Sequence, residues 1–177
     1  MAPCSGAVHL RRATEDDAPA LARIQVLASR AAFAGLLPDE LLADVVEADH
    51  ERAWRREIAL LPEELRPTVA DIEGRPVGFI GATPGDVAPE GGRDGSTELT
   101  VFVDPECWSH GIARRLVEHQ IRLLHRLGRT DLSTWIMPDD ARARAFCEAI
   151  GWHADGTRRT RKMGAASAEE ERYRAPG

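Results

Sequence analysis

The sequence has few cysteines, no long apolar run and no excess of basic residues. Cys4, Cys107 and Cys147 are odd in number and lack C-x-x-C spacing, which indicates neither a disulfide framework nor a zinc site and predicts reduced thiols. No apolar stretch approaches the ~20 residues of a membrane span, and the first residues do not resemble a signal peptide. A net charge of -6 disfavours nucleic acid and membrane surfaces as partners. We therefore expect a cytoplasmic protein without either partner.

Several catalytic motifs are also missing. The strings G-x-x-x-x-G-K-S/T, G-x-S-x-G and H-E-x-x-H do not occur, so a nucleotide hydrolase, a serine hydrolase and a zinc protease lack support. His119 and His125 are six residues apart on a polar helix face and do not form a metal pair. We expect no metal site.

The chain of 177 residues suits a single domain over residues 1–177, with an ordered core at about residues 8–176. Residues 68–72 and 76–83 are apolar and are separated by Glu73-Gly74-Arg75, which predicts an antiparallel hairpin. Residues 84–96 are rich in glycine and predict a flexible loop. The other expected strands are 8–12, 101–103, 131–137, 158–163 and 170–174, the last two flanking a turn at 164–167. The expected helices are 14–34, 36–46, 48–61, 111–127 and one capped by Asp139 that runs through Ile150.

Residues 101–127 are the most informative stretch. The apolar strand V-F-V is stopped by Asp104-Pro105, because proline cannot continue a strand ladder, and an amphipathic helix begins near Gly111. The first backbone N–H groups of a helix have no partner within it and lie at the positive end of its dipole, so a loop folded over them binds anions. The pattern predicts a phosphate site of a cofactor.

These residues resemble the acetyl-CoA signature of the GNAT N-acetyltransferase superfamily, in which a strand ending at a proline precedes Gln/Arg-x-x-Gly-x-Gly/Ala at the head of a helix. Trp108 takes the Gln/Arg position and Ser109 takes a position that is often glycine. Both fit, because backbone N–H groups are expected to hold the pyrophosphate. The resemblance implies that acetyl-CoA is bound by Val101, Phe102, Val103, Trp108, Ser109, His110, Gly111, Ile112, Ala113 and Asp140. His110 either helps to neutralise the phosphates or is a solvated loop residue.

A second segment, residues 140–152, is similar to the family helix N-x-x-A-x-x-F-Y-E-x-x-G-F/W. Asp140 replaces the usual asparagine, and Cys147 replaces a tyrosine that is expected to protonate the departing thiolate. Cys147 is either the substitute general acid or a small buried hydrophobe. The resemblance also implies that the Val101 amide holds the thioester carbonyl and that Val103 pairs with the pantetheine amides.

The acceptor side of the reaction is less clearly marked. Glu98 stands where the family often places the base that deprotonates the amine through water, although a solvated strand residue has the same appearance. Phe33 and Trp135 either line the acceptor pocket or pack in the core. The basic run at residues 158–162 either binds an anion or keeps an edge strand soluble.

The resemblance implies a GNAT fold of the α+β (α/β) class: a mixed, mostly antiparallel sheet splayed in the middle, with helices on both faces. It implies transfer of acetyl from acetyl-CoA to a primary amine of a small molecule or peptide. The alternative is a non-catalytic acyl-CoA-binding or regulatory module, suggested by the missing tyrosine. Pairing of two copies through the final strands would complete an acceptor site, so a homodimer is one option.

Overall fold

The computed structural model describes residues 4–43, 46–85, 95–163 and 166–176. Within these residues, seven strands form one sheet, covered by five α-helices. The strands are β1 (Val8–Arg12), β2 (Thr68–Ile72), β3 (Arg75–Pro84), β4 (Thr97–Val103), β5 (Leu132–Ile136), β6 (His153–Met163) and β7 (Ala166–Arg174). The helices are α1 (Ala18–Phe33), α2 (Asp39–Ala43), α3 (Glu47–Leu60), α4 (Ile112–Arg126) and α5 (Ala141–Ala149), with 3-10 turns at Glu15–Asp17, Glu63–Leu65 and Pro105–Cys107.

The sheet has the order β1-β2-β3-β4-β5-β7-β6, and each neighbouring pair is antiparallel except β4 with β5. This confirms the predicted mixed, mostly antiparallel sheet. β4 and β5 pair only at Thr97 with Leu132 and at Glu98 with Ser133, although both strands continue for several residues. The two strands therefore diverge, and the sheet is splayed in the middle as expected.

Helices pack on both faces of the sheet, each over its own hydrophobic cluster. On one face, Leu116 and Leu124 of α4 pack with sheet residues such as Leu99. On the other face, Ile24 of α1 and Ile58 of α3 are fully buried in a cluster with other core residues. Complete burial of a large apolar side chain contributes roughly 1.5–3 kcal/mol, so these two layers fix the helices on the sheet.

The hairpin of β2 and β3 forms as predicted, with a tight turn at Glu73 and Gly74. Their φ angles of 54° and 77° are both left-handed, which is the pattern of the two-residue turns that match the twist of a hairpin. Most of the loop expected at residues 84–96 lies outside the described residues, as do residues 44–45 and residues 164–165 of the expected final turn.

Two local predictions were wrong in detail. The N-cap of α5 is Asp140, whose carboxylate accepts from the Ala143 N–H over 2.9 Å, rather than Asp139. β6 begins at His153, whereas the predicted strand began at residue 158. Asp155 and Gly156 are residue types that favour turns, so the sequence gives no sign that the strand includes them. They instead form a local irregularity: the register with β7 shifts between Ala154 and Arg158, and Gly156 has a φ of 82°.

The prediction of three reduced thiols was also wrong. Cys4 and Cys107 form a disulfide across 103 residues, with 5.5 Å between their Cα atoms, and both are buried. Cys4 therefore belongs to the core rather than to a loose tail. Spacing along the chain could not reveal this pair, because only the tertiary fold brings the start of the chain beside the 3-10 turn after β4. Cys147 is a free, buried thiol.

Candidate active site

The connection between β4 and α4 has the geometry of an anion-binding loop. Ser109 and Gly111 both have left-handed backbone angles, with φ values of 66° and 75°. Gly111 is the N-cap residue of α4, and no side chain caps the helix there. The first N–H groups of this 15-residue helix are thus available at the positive end of its dipole. A phosphate group is the kind of ligand that such a helix end binds.

Hydrogen bonds and core packing hold this loop in place. The Trp108 Nε1–H donates to the carbonyl oxygen of Val103 over 2.8 Å. The His110 ring donates from Nδ1 to the carbonyl oxygen of Trp108, also over 2.8 Å, because a carbonyl can only accept. Ile112 is buried, and Ala113 packs against the same cluster. The loop residues predicted to contact the cofactor therefore form one continuous, anchored structure.

Arg142 is a neighbour of the loop that the sequence did not reveal. Its guanidinium carbon lies 3.1 Å from the centroid of the Trp108 ring, a cation–π contact. The cap formed by Asp140 fixes the first turn of α5, which carries Arg142. Because Trp108 replaces the usual Gln or Arg of the loop, α5 supplies a cation next to the loop that the loop sequence lacks. This pairing is a tertiary contact and leaves no signal in either motif alone.

The divergence of β4 and β5 leaves a gap beside the loop. Their ladder covers only two residue pairs at the start of β4, and the predicted contact residues Val101 and Val103 lie beyond it. An extended ligand that enters such a gap can hydrogen-bond to strand backbone as an added strand does. Phe102 lies between these two residues, but its side chain is on the opposite face, where its ring centroid is 5.3 Å from that of Phe79.

A cavity of about 550 Å³ lies on the face of the sheet covered by α1 and α3. Alternation along β4 sends Glu98, Thr100 and Phe102 to this cavity and leaves Leu99 in the core under α4. The remaining lining includes Trp54 of α3. Ionisable side chains reach the cavity from three elements and comprise Glu57, Glu98, Arg159 and Arg161.

Comparison with known proteins decides the family. The sequence model of the acetyltransferase (GNAT) family matches residues 31–152. This chain belongs to the GNAT acetyltransferase family. A search of curated proteins finds no match.

Solved structures of GNAT enzymes share the fold at low sequence identity. The PaiA N-acetyltransferase of Thermoplasma acidophilum, solved with coenzyme A, is 14% identical, with 93% of this chain and 98% of that chain covered at a TM-score of 0.71. YncA of Salmonella typhimurium, solved with acetyl-CoA, is 17% identical. The match covers 96% of this chain and 94% of that chain at a TM-score of 0.70. The ribosomal-protein-alanine N-acetyltransferase of Brucella melitensis is 24% identical. The match covers 94% of this chain and 98% of that chain at a TM-score of 0.70.

The predictions of a GNAT fold, of an acyltransferase and of acetyl-CoA as cosubstrate are confirmed. The loop is also open to solvent at its glycine. A Cβ built on Gly111 would meet no atom within 4 Å, so the space above the N-terminus of α4 is open to a ligand.

Glu98 reaches the cavity as predicted, but it is engaged in an ion pair. Arg159 donates from its two terminal nitrogens to the two Glu98 carboxylate oxygens over 3.3 and 3.4 Å. The same arginine donates from Nε to Glu170 over 2.6 Å. Arg159 belongs to the basic run at residues 158–162, and its side chain lines the cavity. The role of Glu98 as the base stays a prediction.

Glu57 is the cavity carboxylate that the sequence analysis missed. It lies on α3 between Trp54, which also lines the cavity, and the fully buried Ile58. Burial raises the pKa of the Glu57 carboxyl above its ordinary value. In the sequence Glu57 appears as one charged residue in a polar helix. The one sign that it faces the cavity is its position three residues after Trp54, which places both side chains on the same face of the helix.

Cys147 is 3% exposed and lies in the core cluster under α4 and α5. Burial raises the pKa of its thiol to about 12, with smaller contributions from Asp140 and Glu148. A donor with that pKa is poorly matched to a departing thiolate, because the pKa of an ordinary thiol is only ~8.5. The geometry thus supports the interpretation of Cys147 as a small buried hydrophobe, and its role as an acid stays an untested prediction.

Replacing Cys147 with alanine should therefore change kcat/KM less than tenfold at neutral pH, which is under ~1.4 kcal/mol of transition-state free energy. The lost packing should lower the free energy of unfolding by about 1 kcal/mol. Steady-state kinetics and urea unfolding check these two values. A fall in kcat of a hundredfold or more with intact acetyl-CoA affinity would restore Cys147 as the proton donor.

The two predicted pocket residues occupy different places. Phe33 packs with Leu37 and Leu42 in a small cluster and is not among the residues that line the cavity. Trp135 lies behind the cavity wall, with the Arg159 guanidinium carbon 4.2 Å from its ring centroid. It thus contacts a cavity residue without lining the cavity itself.

Other classes of site have no support in the described part of the chain. Over residues 4–43, 46–85, 95–163 and 166–176, no group of His, Cys, Asp and Glu side chains has the arrangement of a metal site. Over the same ranges, no helix combines the length and the apolar character needed to cross a membrane.

Proposed function

We propose that this GNAT protein transfers the acetyl group of acetyl-CoA to a primary amine, by direct attack of the amine on the thioester. The observation that carries the proposal is the placement of the cavity: it holds carboxylates and is lined by β4, the strand that leads directly into the phosphate loop. Candidate bases for the amine and the proposed phosphate site of the cosubstrate therefore both adjoin β4.

Each part of acetyl-CoA has protein groups to receive it. Acetyl-CoA supplies the activated acetyl group when it is bound. The backbone N–H groups of residues 109–113 hold the pyrophosphate, with Arg142 as a nearby cation. The Val101 N–H donates to the thioester carbonyl, where negative charge develops in the transition state. The backbone of Val103 pairs with the pantetheine amides, and Asp140 fixes the turn of α5 beside them.

The acceptor is a small-molecule or peptide amine. A cavity of about 550 Å³ is within the size range of small-molecule sites, and the net charge of -6 favours a cationic amine. Antibiotics, amino acids, polyamines and protein N-termini all carry such a group. β6 supplies Arg159 and Arg161 to the cavity and lies at the edge of the sheet, so a second copy that pairs there would extend the acceptor site.

The other parts of the proposal follow from charge and chemistry. Arg158, Arg159 and Arg161 each form an ion pair with a glutamate of β7, which favours a structural role over nucleic-acid binding. A cytoplasmic location stays a prediction. The disulfide between Cys4 and Cys107 weighs against a permanently reducing compartment, because cytosolic disulfides are rare.

Two measurements test the function. Isothermal titration calorimetry should show binding of acetyl-CoA, and no binding at millimolar concentration would refute the proposal. A coupled assay for released CoA over a panel of amines should then identify acceptors. Binding without CoA release from any amine would instead support the non-catalytic acyl-CoA-binding module, which the lack of a tyrosine at position 147 favours.

A further inference from the structure

Among the described residues, two carboxylates in unlike surroundings line the cavity. Glu98 and Glu57 both line it, from β4 and α3. The other ionisable side chains that face the cavity are Arg159 and Arg161, both from β6. An amine that reacts with a thioester must first lose a proton, so the two carboxylates are the candidates to receive it.

Glu98 is poorly suited to that step because its oxygens are already occupied. Both accept hydrogen bonds from Arg159, and the side chain of Glu98 is only 17% exposed. Moving a proton onto this carboxylate would break a charge-assisted pair that is largely shielded from water. Arg159 also donates a hydrogen bond to Glu170 and stacks on Trp135. These contacts oppose any movement of its guanidinium away from Glu98 when Glu98 is protonated.

Glu57 has the opposite surroundings. Its helix is fixed by the fully buried Ile58 and by Trp54, whose Nε1–H donates to the Gln25 side chain over 2.7 Å and whose ring packs edge-on against Phe79. Burial raises the pKa of Glu57 above its ordinary value. A carboxylate that is held in place, half-buried and raised in pKa is suited to general-base catalysis near neutral pH.

We propose that Glu57 is the general base that receives the proton of the acceptor amine, and that Glu98 is a positioning residue that holds Arg159 in the cavity wall. This assignment rests on the proposed acetyl transfer. The acceptor ammonium gives one proton to the Glu57 carboxylate. The freed lone pair on nitrogen forms the C–N bond to the acetyl carbon while the C–S bond breaks. Sulfur leaves with the electron pair of the C–S bond as thiolate, and the second nitrogen proton then neutralises it through solvent. Glu57 returns its own proton to solvent before the next turnover.

The decisive experiment compares Glu57→Gln with Glu98→Gln in kcat/KM against pH, using an amine found in the CoA-release panel. Glu57→Gln should lower kcat/KM ~10²-fold at pH 7 and replace the acid limb due to Glu57 with a rise that follows the pKa of the amine. Its deficit should shrink as pH rises, because the amine then loses its proton to solvent. Glu98→Gln should cost less than tenfold and keep the acid limb. The matched control is Glu51→Gln, a partly exposed glutamate of the same helix that pairs with Arg55 and should behave as wild type.

The reverse ranking overturns the assignment: a Glu57→Gln enzyme with wild-type rate and acid limb, or a larger loss in Glu98→Gln. Acetyl-CoA binding by calorimetry should be unchanged in both variants. If wild type binds acetyl-CoA but acetylates no amine, the proposed function fails. If wild type turns over and Glu57→Gln matches it, the Glu57 assignment alone fails.

A second measurement tests the physical basis without any acceptor. Carbon-13 NMR titration of labelled glutamate carboxyls, assigned by the missing signal in Glu57→Gln, should show Glu57 titrating above a free glutamate. A group with a raised folded-state pKa contributes stability that is present below its unfolded pKa and lost as pH rises through the folded value. Glu57→Gln should therefore be at least as stable as wild type at pH 8. An ordinary Glu57 titration, or a Glu57→Gln protein that is unfolded at pH 8, overturns the assignment.

Discussion

Replacing Gly111 with valine is expected to raise the dissociation constant for acetyl-CoA at least a hundredfold while the protein stays folded. Gly111 has a φ of 75°, which costs a β-branched residue about 1–2 kcal/mol, and a Cβ there would meet no protein atom within 4 Å. The added Cβ therefore enters open space in the free protein. It fills the open space over the first N–H groups of α4, where the phosphates are proposed to bind. A hundredfold loss corresponds to about 2.7 kcal/mol of binding free energy.

Gly128 provides the matched control for this substitution. It follows the C-terminal end of the same helix, has a φ of 73°, and a Cβ there also meets no atom within 4 Å. Gly128→Val should therefore lose a similar amount of unfolding free energy and bind acetyl-CoA normally. Calorimetry and thermal unfolding of both variants separate backbone strain from obstruction of the loop. Equal acetyl-CoA affinity in the two variants would show that the phosphates bind elsewhere.

The phosphate loop could be predicted from the sequence because its signals are local. A strand, a proline stop, a left-handed glycine and an amphipathic helix follow one another within residues 101–127, and each depends on neighbours in the chain. The alternation that sends Glu98 to one face of β4 and Leu99 to the other is equally local. For the same reason the order of strands and helices was predictable, apart from the irregular start of β6.

The chemistry of the acceptor cavity could not be predicted in the same way. The sequence predicts Glu98 as a candidate base, but its partner Arg159 lies 61 residues away in the chain. The basic run that contains Arg159 is also typical of a solvated edge strand. Glu57 acquires its raised pKa from burial, and burial is a property of the assembled layers. The contact of Arg142 with Trp108 joins two motifs that were each read separately. The ion pairs and the pKa values of this site depend on contacts between residues far apart in the chain. A single sequence does not reveal which residues make those contacts.

The disulfide gives the second large expectation: reducing it should lower the free energy of unfolding by about 4–5 kcal/mol. This magnitude follows from the loop-closure entropy of a cross-link that spans roughly a hundred residues, and it acts mainly on the unfolded chain. The Cys4–Cys107 pair spans 103 residues, and both cysteines are buried in the folded protein. Urea unfolding with and without dithiothreitol measures the difference. The expected loss is a large part of the 5–15 kcal/mol that stabilises a typical domain.

The remaining cysteine supplies the control for this experiment. Cys147 is a free thiol, so Cys147→Ser should respond to dithiothreitol in the same way as wild type. The double variant Cys4→Ala with Cys107→Ala should not respond at all. Thiol counting in urea should find one reactive thiol before reduction and three after it, and three thiols before reduction would refute the disulfide.

Because Cys107 immediately precedes Trp108 at the start of the phosphate loop, the acetyl-CoA affinity of the reduced protein should also be compared with that of the oxidised protein. An unchanged affinity would mean that the Trp108 hydrogen bond to Val103 and the burial of Ile112 hold the loop without the cross-link.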